Sequence, residues 1–240
     1  MNPSAEPRYF GPTDRPLLGW LHRSPAEAPP RATGLVICNP FGYEALCSHR
    51  SLRHFAEAAA ALGYPSLRFD YDGTGDSAGE DLDPDRWEAW QQSVGYAIEE
   101  LRRSSGVTDV CLLGVRLGAT IAAIAATGRG DVAGFACIAP VVNGRAWLRE
   151  VRALQAAMGR AEPPPEFALP EGVTESVGLL LAAQARDDIN RVDLAAMTAT
   201  PAPVCLVLDR DDRPPNAAWC ARLRELGAAV DQHVLPGFVE

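Results

Sequence analysis

The chain has 240 residues, of which 47% are hydrophobic and 22% charged, and its net charge is −9. That composition is ordinary for a soluble globular protein of one large domain or two small ones, and the acidic excess argues against nucleic acid as a partner, because phosphate backbones demand clustered Lys and Arg. No apolar run approaches the ~20 residues of a bilayer span, and the N-terminal MNPSAEPRYFGPTDRP has no basic stretch followed by an apolar core, so neither a membrane span nor a signal peptide is expected.

The predicted elements alternate along the chain. The first 33 residues are polar and Pro-rich, and YFGPTDRPLLGWLHRSP suits an antiparallel leading hairpin. GLVICNP (34–40) is an apolar strand ending in Asn-Pro, followed by an Ala-rich helix over 52–62 that Gly63 closes. PSLRFDYD (65–72) is the next strand. The helix over 83–104 begins with acidic residues and a proline and ends in arginines, the polarity that a helix dipole favours. Then come strand 109–114, helix 117–127, strand 132–142, strand 202–211, helix 216–226 and a final strand over 230–238. Strands apolar throughout and separated by helices predict a mostly parallel, doubly wound α/β sheet.

One segment departs from the alternation. Residues 143–200 carry two helical patterns, GRAWLREVRALQAAMG and VTESVGLLLAAQARDDINRVD, around the Pro-rich RAEPPPEFALPEG. This predicts a helical cap inserted in a single domain spanning 1–240, over the carboxyl ends of the strands, where such sheets bind ligands. Its apolar faces (Trp147, Leu148, Val151, Leu154; Val177, Leu180, Leu181) would roof the pocket or form a homodimer contact. Six cysteines, at 38, 47, 111, 137, 205 and 220, include no C-x-x-C pair. They read as buried thiols in a reducing cytoplasm.

The segment LLGVRLGAT (112–120) carries the most chemistry. An apolar strand runs into Gly114, and Gly118 opens a small-residue helix. This is the frame of a G-x-S-x-G nucleophile elbow with Arg116 at its centre.

From about residue 17 onward the chain resembles the α/β-hydrolase superfamily. VICNPFG is similar to the strand and turn that carry the oxyanion loop, LRFDYDGTGDSAG to the D-x-x-G-x-G-x-S loop of serine-aminopeptidase-like hydrolases, GVRLG to the elbow and LVLDRDD to the strand end bearing the triad acid. The stretch from Asn39 to Gly79 resembles, more narrowly, the bacterial hydrolase-like proteins associated with exosortase and exopolysaccharide gene clusters. The resemblance implies that the Phe41 and Leu117 amides form the oxyanion site, that Gly114 and Gly118 permit the tight elbow, and that Asp212 is the triad acid, with Asp209 and Asp211 as neighbours. A catalytic histidine is implied in a loop beyond HVLPGF; the sequence stops at Glu240 before that loop is complete, and His233 lies inside the expected strand.

A guanidinium is essentially always protonated and does not attack an ester. Three readings of Arg116 follow: a lost active site on a kept fold, a receptor for a carboxylate or phosphate beside the Phe41 and Leu117 amides, or a buried salt bridge with Asp212. Two function classes stay open. One is a hydrolase or acyltransferase acting on a small ester, thioester or acyl substrate; the other is a non-catalytic anion-binding or scaffold protein. Cys47, Ser48 and Ser51, near His49 and His54, could form a nucleophile pair, but SHRSLRHF reads more simply as an N-capped helix start. Asp70, Asp72, Asp76 and Ser77 read as loop-structuring residues among Gly73, Gly75 and Gly79, with a spacing that matches no calcium loop. Trp87 and Trp90 read as helix packing. No metal or other cofactor is implied.

Overall fold

The computed structural model describes residues 5–158 and 169–237. Eight strands form one sheet: β1 (Glu6–Phe10), β2 (Leu17–His22), β3 (Thr33–Cys38), β4 (Ser66–Phe69), β5 (Asp109–Val115), β6 (Val132–Ile138), β9 (Val204–Arg210) and β10 (Ala229–Leu235). Their order is β1-β2-β4-β3-β5-β6-β9-β10. The first two strands form an antiparallel hairpin, β2 runs antiparallel to β4, and every later pairing is parallel. The expected mostly parallel, doubly wound sheet is therefore present. Its central strands β3 and β5 are almost wholly buried, as apolar runs covered on both faces must be.

Helices α1 (Gly42–Ala61), α2 (Arg86–Ser105), α3 (Leu117–Ala126) and α6 (Ala217–Glu225) alternate with these strands. Helix α1 starts ten residues before the predicted boundary, straight out of the NPF turn, so Cys47, Ser48, His49 and Ser51 are helical residues rather than an N-capped start. No side chain caps it. A distant carbonyl does so instead, since the Tyr43 amide donates to Val177 O at 2.8 Å. Strands β4 and β6 end three and four residues earlier than predicted, because those residues turn away to build the carboxyl-end loops, while β9 starts two residues later and ends one residue earlier than predicted and β10 ends at Leu235.

The insertion is only partly helical. Helix α4 (Gly144–Ala157) is present and Asn143 caps it, accepting from the Ala146 amide at 2.9 Å. The second helical pattern is corrected: it divides into a hairpin, β7 (Thr174–Ser176) and β8 (Leu179–Leu181), and a short helix α5 (Ala183–Arg191). Val177 and Gly178 both have positive φ (52° and 80°), the signature of a two-residue turn whose twist suits a hairpin. Leu180 and Leu181 therefore belong to a strand and not to a helical stripe. The Pro-rich stretch at 159–168 lies outside the described residues, as does the end of the chain from Phe238.

Candidate functional site

Three segments meet at the carboxyl end of the sheet. The first is the turn between β5 and α3. Arg116 sits there at φ 52°, ψ −124°, a conformation that L residues rarely adopt, and tertiary contacts hold it. Its amide donates to Ile138 O at 3.0 Å, its carbonyl accepts from Val141 N at 3.4 Å, and Thr120 Oγ1 donates to Val141 O at 2.7 Å. The flanking glycines are needed for close approach. A Cβ on Gly114 would collide with Ala119, and one on Gly118 with the Cys38 and Asn39 carbonyl oxygens.

The second segment is the turn after β3. Phe41 is buried between the rings of Tyr71 and Trp90, with centroids at 4.7 and 4.6 Å, and Asn39 Nδ2 donates to Phe69 O at 2.8 Å. Leu117 opens α3 and Phe41 precedes α1, so neither amide has an acceptor within its helix. Below them the DxxGxG loop is rigidly tied. Ser77 Oγ donates to Asp70 O and accepts from Leu18 N, while buried Asp72 takes both the Arg15 and Arg86 guanidiniums. Desolvation opposes the Asp72 charge, but those two cations outweigh it and hold its pKa below the usual carboxylate value. Trp90 donates to the Asp72 carbonyl and meets Trp87 edge-on, so both tryptophans serve packing.

The third segment is α4 together with the end of β9, and it supplies the partners of Arg116. The Arg116 side chain is only 5% exposed. Its Nε donates to Glu44 Oε1 at 2.6 Å, and Nη1 donates to Ala139 O at 3.3 Å. Nη2 lies 3.0 Å from Glu150 Oε1 but off the N–H direction, so this contact is an ion pair without a hydrogen bond. The same Glu150 oxygen accepts from Arg210 Nη1 at 2.5 Å, and Arg210 grips Asp212 through Nε and Nη2 at 2.7 and 2.6 Å. The expected Arg116–Asp212 bridge is thus corrected. Asp212 faces Arg210 and Arg213, and Glu44 and Glu150 take its place beside Arg116. The result is a chain of alternating charge from Glu44 through Arg116, Glu150 and Arg210 to Asp212. Burial works against the Glu150 carboxylate, but Arg116 and Arg210 hold its pKa below the usual value.

A cleft of about 510 Å³ opens beside this chain, lined by Arg116, Arg149, Arg210 and Arg213 against the carboxylates of Glu150 and Asp209. Asp209 is almost fully buried and accepts from Asn216 and Gln232. Between the elbow and the turn after β3, where Phe41, Trp147, Val177 and Leu179 converge, only about 30 Å³ remains. The alternative nucleophiles do not assemble. Ser48 Oγ donates to the Glu44 and Ala45 carbonyls of its own helix, and His233 lies exposed on β10. Among the described residues no group of three His, Cys, Asp or Glu is placed to hold a metal ion, and no helix is long and apolar enough to cross a membrane.

Sequence reasoning missed Glu44, Glu150 and Arg210. Glu44 had a signal, since it stands three residues beyond Phe41, but the late start assigned to α1 removed it from the site. Glu150 and Arg210 become neighbours only when α4 folds over β9.

The family profile described as serine aminopeptidase, S33, matches residues 46–175, more than half of the chain. No curated protein sequence matches significantly. Similar solved structures include Est1E from Butyrivibrio proteoclasticus with ferulic acid bound (16% identity, TM-score 0.68, covering 96% of this chain and 89% of that one). Another is the hypothetical protein PA2218 from Pseudomonas aeruginosa (15% identity, TM-score 0.71, covering 99% and 87%). A third is XC6422 from Xanthomonas campestris, described as an α/β serine hydrolase without lid (16% identity, TM-score 0.59, covering 98% and 85%). At such identities the likeness is one of fold.

Proposed function

We propose that the chain, which belongs to the serine aminopeptidase (S33) family of α/β hydrolases, uses its elbow to bind a small anionic molecule and does not hydrolyse esters through a serine there. The observation that carries this reading is Arg116 itself. It holds the strained turn from which a serine hydrolase of this fold presents its nucleophile, and a guanidinium neither attacks a carbonyl nor gives up its proton at accessible pH.

Two further features support the reading. The cleft beside the elbow is lined by four arginines together with Glu150 and Asp209, while Glu44 and Asp212 face Arg116 and Arg210 from the other side. Its size falls in the range of ordinary small-molecule sites, about 300–1,000 Å³. By contrast, the gap that Arg116 and Phe41 line together has room for about one water, and the cavity of about 390 Å³ on the Asn39, Phe41 and Tyr71 side is not lined by Arg116. The positive end of α3 adds to the attraction for an anion.

Two assays test the proposal together. Hydrolysis of p-nitrophenyl acetate by the purified chain should not exceed the buffer rate. Small carboxylates or inorganic phosphate should raise Tm saturably, by linkage to a native-state site, and Arg116→Ala should abolish that rise. A serine-directed covalent inhibitor that titrates an esterase rate insensitive to Arg116→Ala would overturn it.

A further inference from the structure

Resting on that reading, we infer that the ligand is a small monocarboxylate whose head group takes the place of Glu150 between Arg116 and Arg210, so that Glu150 is an internal stand-in for it. A single Glu150 oxygen serves both guanidiniums, at 3.0 and 2.5 Å. Glu150 is carried by α4, which belongs to the insertion and not to the sheet. Of the two contacts, the one to Arg116 is poorly aligned, which leaves Nη2 without a hydrogen-bond acceptor. Trp147, one turn earlier on α4, is also buried and lines the same cleft, and its Nε1 has no hydrogen-bond partner among the described residues. Two residues of the cleft wall thus carry buried N–H donors unsatisfied by the protein, beside two cations that share one carboxylate oxygen. Buried donors without acceptors are costly, and a ligand bringing two oxygens would satisfy what Glu150 does not.

Charge selects the class. Arg116 and Arg210 are already faced by Glu44 and Asp212 at their outer ends. Exchange of Glu150 for a monoanion leaves this alternation balanced, whereas a dianionic phosphate would add a negative charge between carboxylates. A planar carboxylate also reproduces the group that the site already holds. Asn143 lines the cleft with its Oδ1 held by the Ala146 amide, which leaves its Nδ2 for a polar body attached to that head group.

The test is chemical rescue. Glu150→Ala empties the position without touching either arginine. Acetate should raise the Tm of this variant saturably, with an apparent Kd at least tenfold lower than for the unaltered chain, and inorganic phosphate should not match it at pH 8. The double variant Glu150→Ala/Arg116→Ala should lose the effect. Should Glu150→Ala not fold, Glu150→Gln removes the charge and keeps the shape, and it too should bind acetate more tightly than the unaltered chain. Equal or weaker acetate binding by the Glu150 variants, with anion binding intact in the unaltered chain, overturns the stand-in role but leaves the anion site. Preference of Glu150→Ala for phosphate overturns the monocarboxylate class. Loss of anion binding in every form overturns the proposed function itself.

Discussion

Replacing Arg116 by alanine tests whether the ion-pair chain supports the elbow. The Glu44 contact at 2.6 Å is a charge-assisted hydrogen bond, a type that contributes about 1.5–3 kcal/mol. Burial of the two side-chain methylenes that alanine lacks adds about 1.5 kcal/mol. The full penalty for stranding a buried charge, about 3–5 kcal/mol, does not apply. Glu150 keeps Arg210, and the Glu44 side chain is 29% exposed, so water reaches it. Alanine inherits the strained φ of 52° and so recovers nothing from the backbone. The expected loss is about 3–4.5 kcal/mol, or roughly 6–18 °C in Tm for a chain of this size. Arg116→Gly should be the milder change by about 0.5–1 kcal/mol, since glycine relaxes the turn, and this offsets its greater freedom when unfolded. Guanidinium chloride titrations of Arg116→Ala, Glu44→Gln and the double variant give the coupling energy directly, and about 1–3 kcal/mol is expected. A coupling below about 0.5 kcal/mol, with Arg116→Ala near the unaltered stability, would refute the reasoning.

Other positions yield separate tests. Gly118→Ala drives a methyl into the Cys38 and Asn39 carbonyls; it should destabilise by about 3 kcal/mol or more, or prevent accumulation of folded protein, as read by denaturant midpoint and soluble yield. Burial and the Arg68 charge depress the His22 pKa to about 4, against 6.5 in the free side chain. Its neutral form therefore supports the fold fully above about pH 6.5, and that support, at most about 3 kcal/mol, fades as pH falls toward 4; His22→Asn should flatten this part of the stability profile. Cys47 is exposed, whereas burial pushes the Cys38 thiol up to about 12 and those of Cys205 and Cys220 to about 11; Cys47 should react first with a thiol reagent on native protein, and the buried thiols only after denaturant is added.

The sheet was legible because its signal is local. Apolar runs such as GLVIC and VCLLG declare fully buried strands, and paired glycines around Arg116 declare the elbow. The corrections fall where a distant group replaces a local signal. Helix α1 begins at Gly42 with no capping side chain, because Val177 supplies the acceptor, and no sequence rule finds such a cap. The VTESVGLLL stretch has helix-like apolar spacing, yet the Val177-Gly178 turn and its docking on α1 make it a hairpin. Burial at the elbow demanded an anion for Arg116, and carboxylates are there. Which ones could not be read, since Glu44 and Glu150 come from helices packed from two sides, while Asp212, nearer the expected place, is held by its neighbour Arg210 two residues away.

The bond between the Tyr43 amide and the Val177 carbonyl has a consequence for how the chain folds. The acceptor for this first-turn amide comes from a hairpin far later in the sequence, so on a nascent chain that ends before the insertion the Tyr43 amide is left to water. Closing so large a loop costs entropy that local contacts do not repay. Substitutions at Val177 or Gly178 should therefore speed unfolding while leaving the folding rate nearly unchanged, with φ-values close to zero. In contrast, the β3–β5 core should register early, with φ-values well above those at Val177 and Gly178.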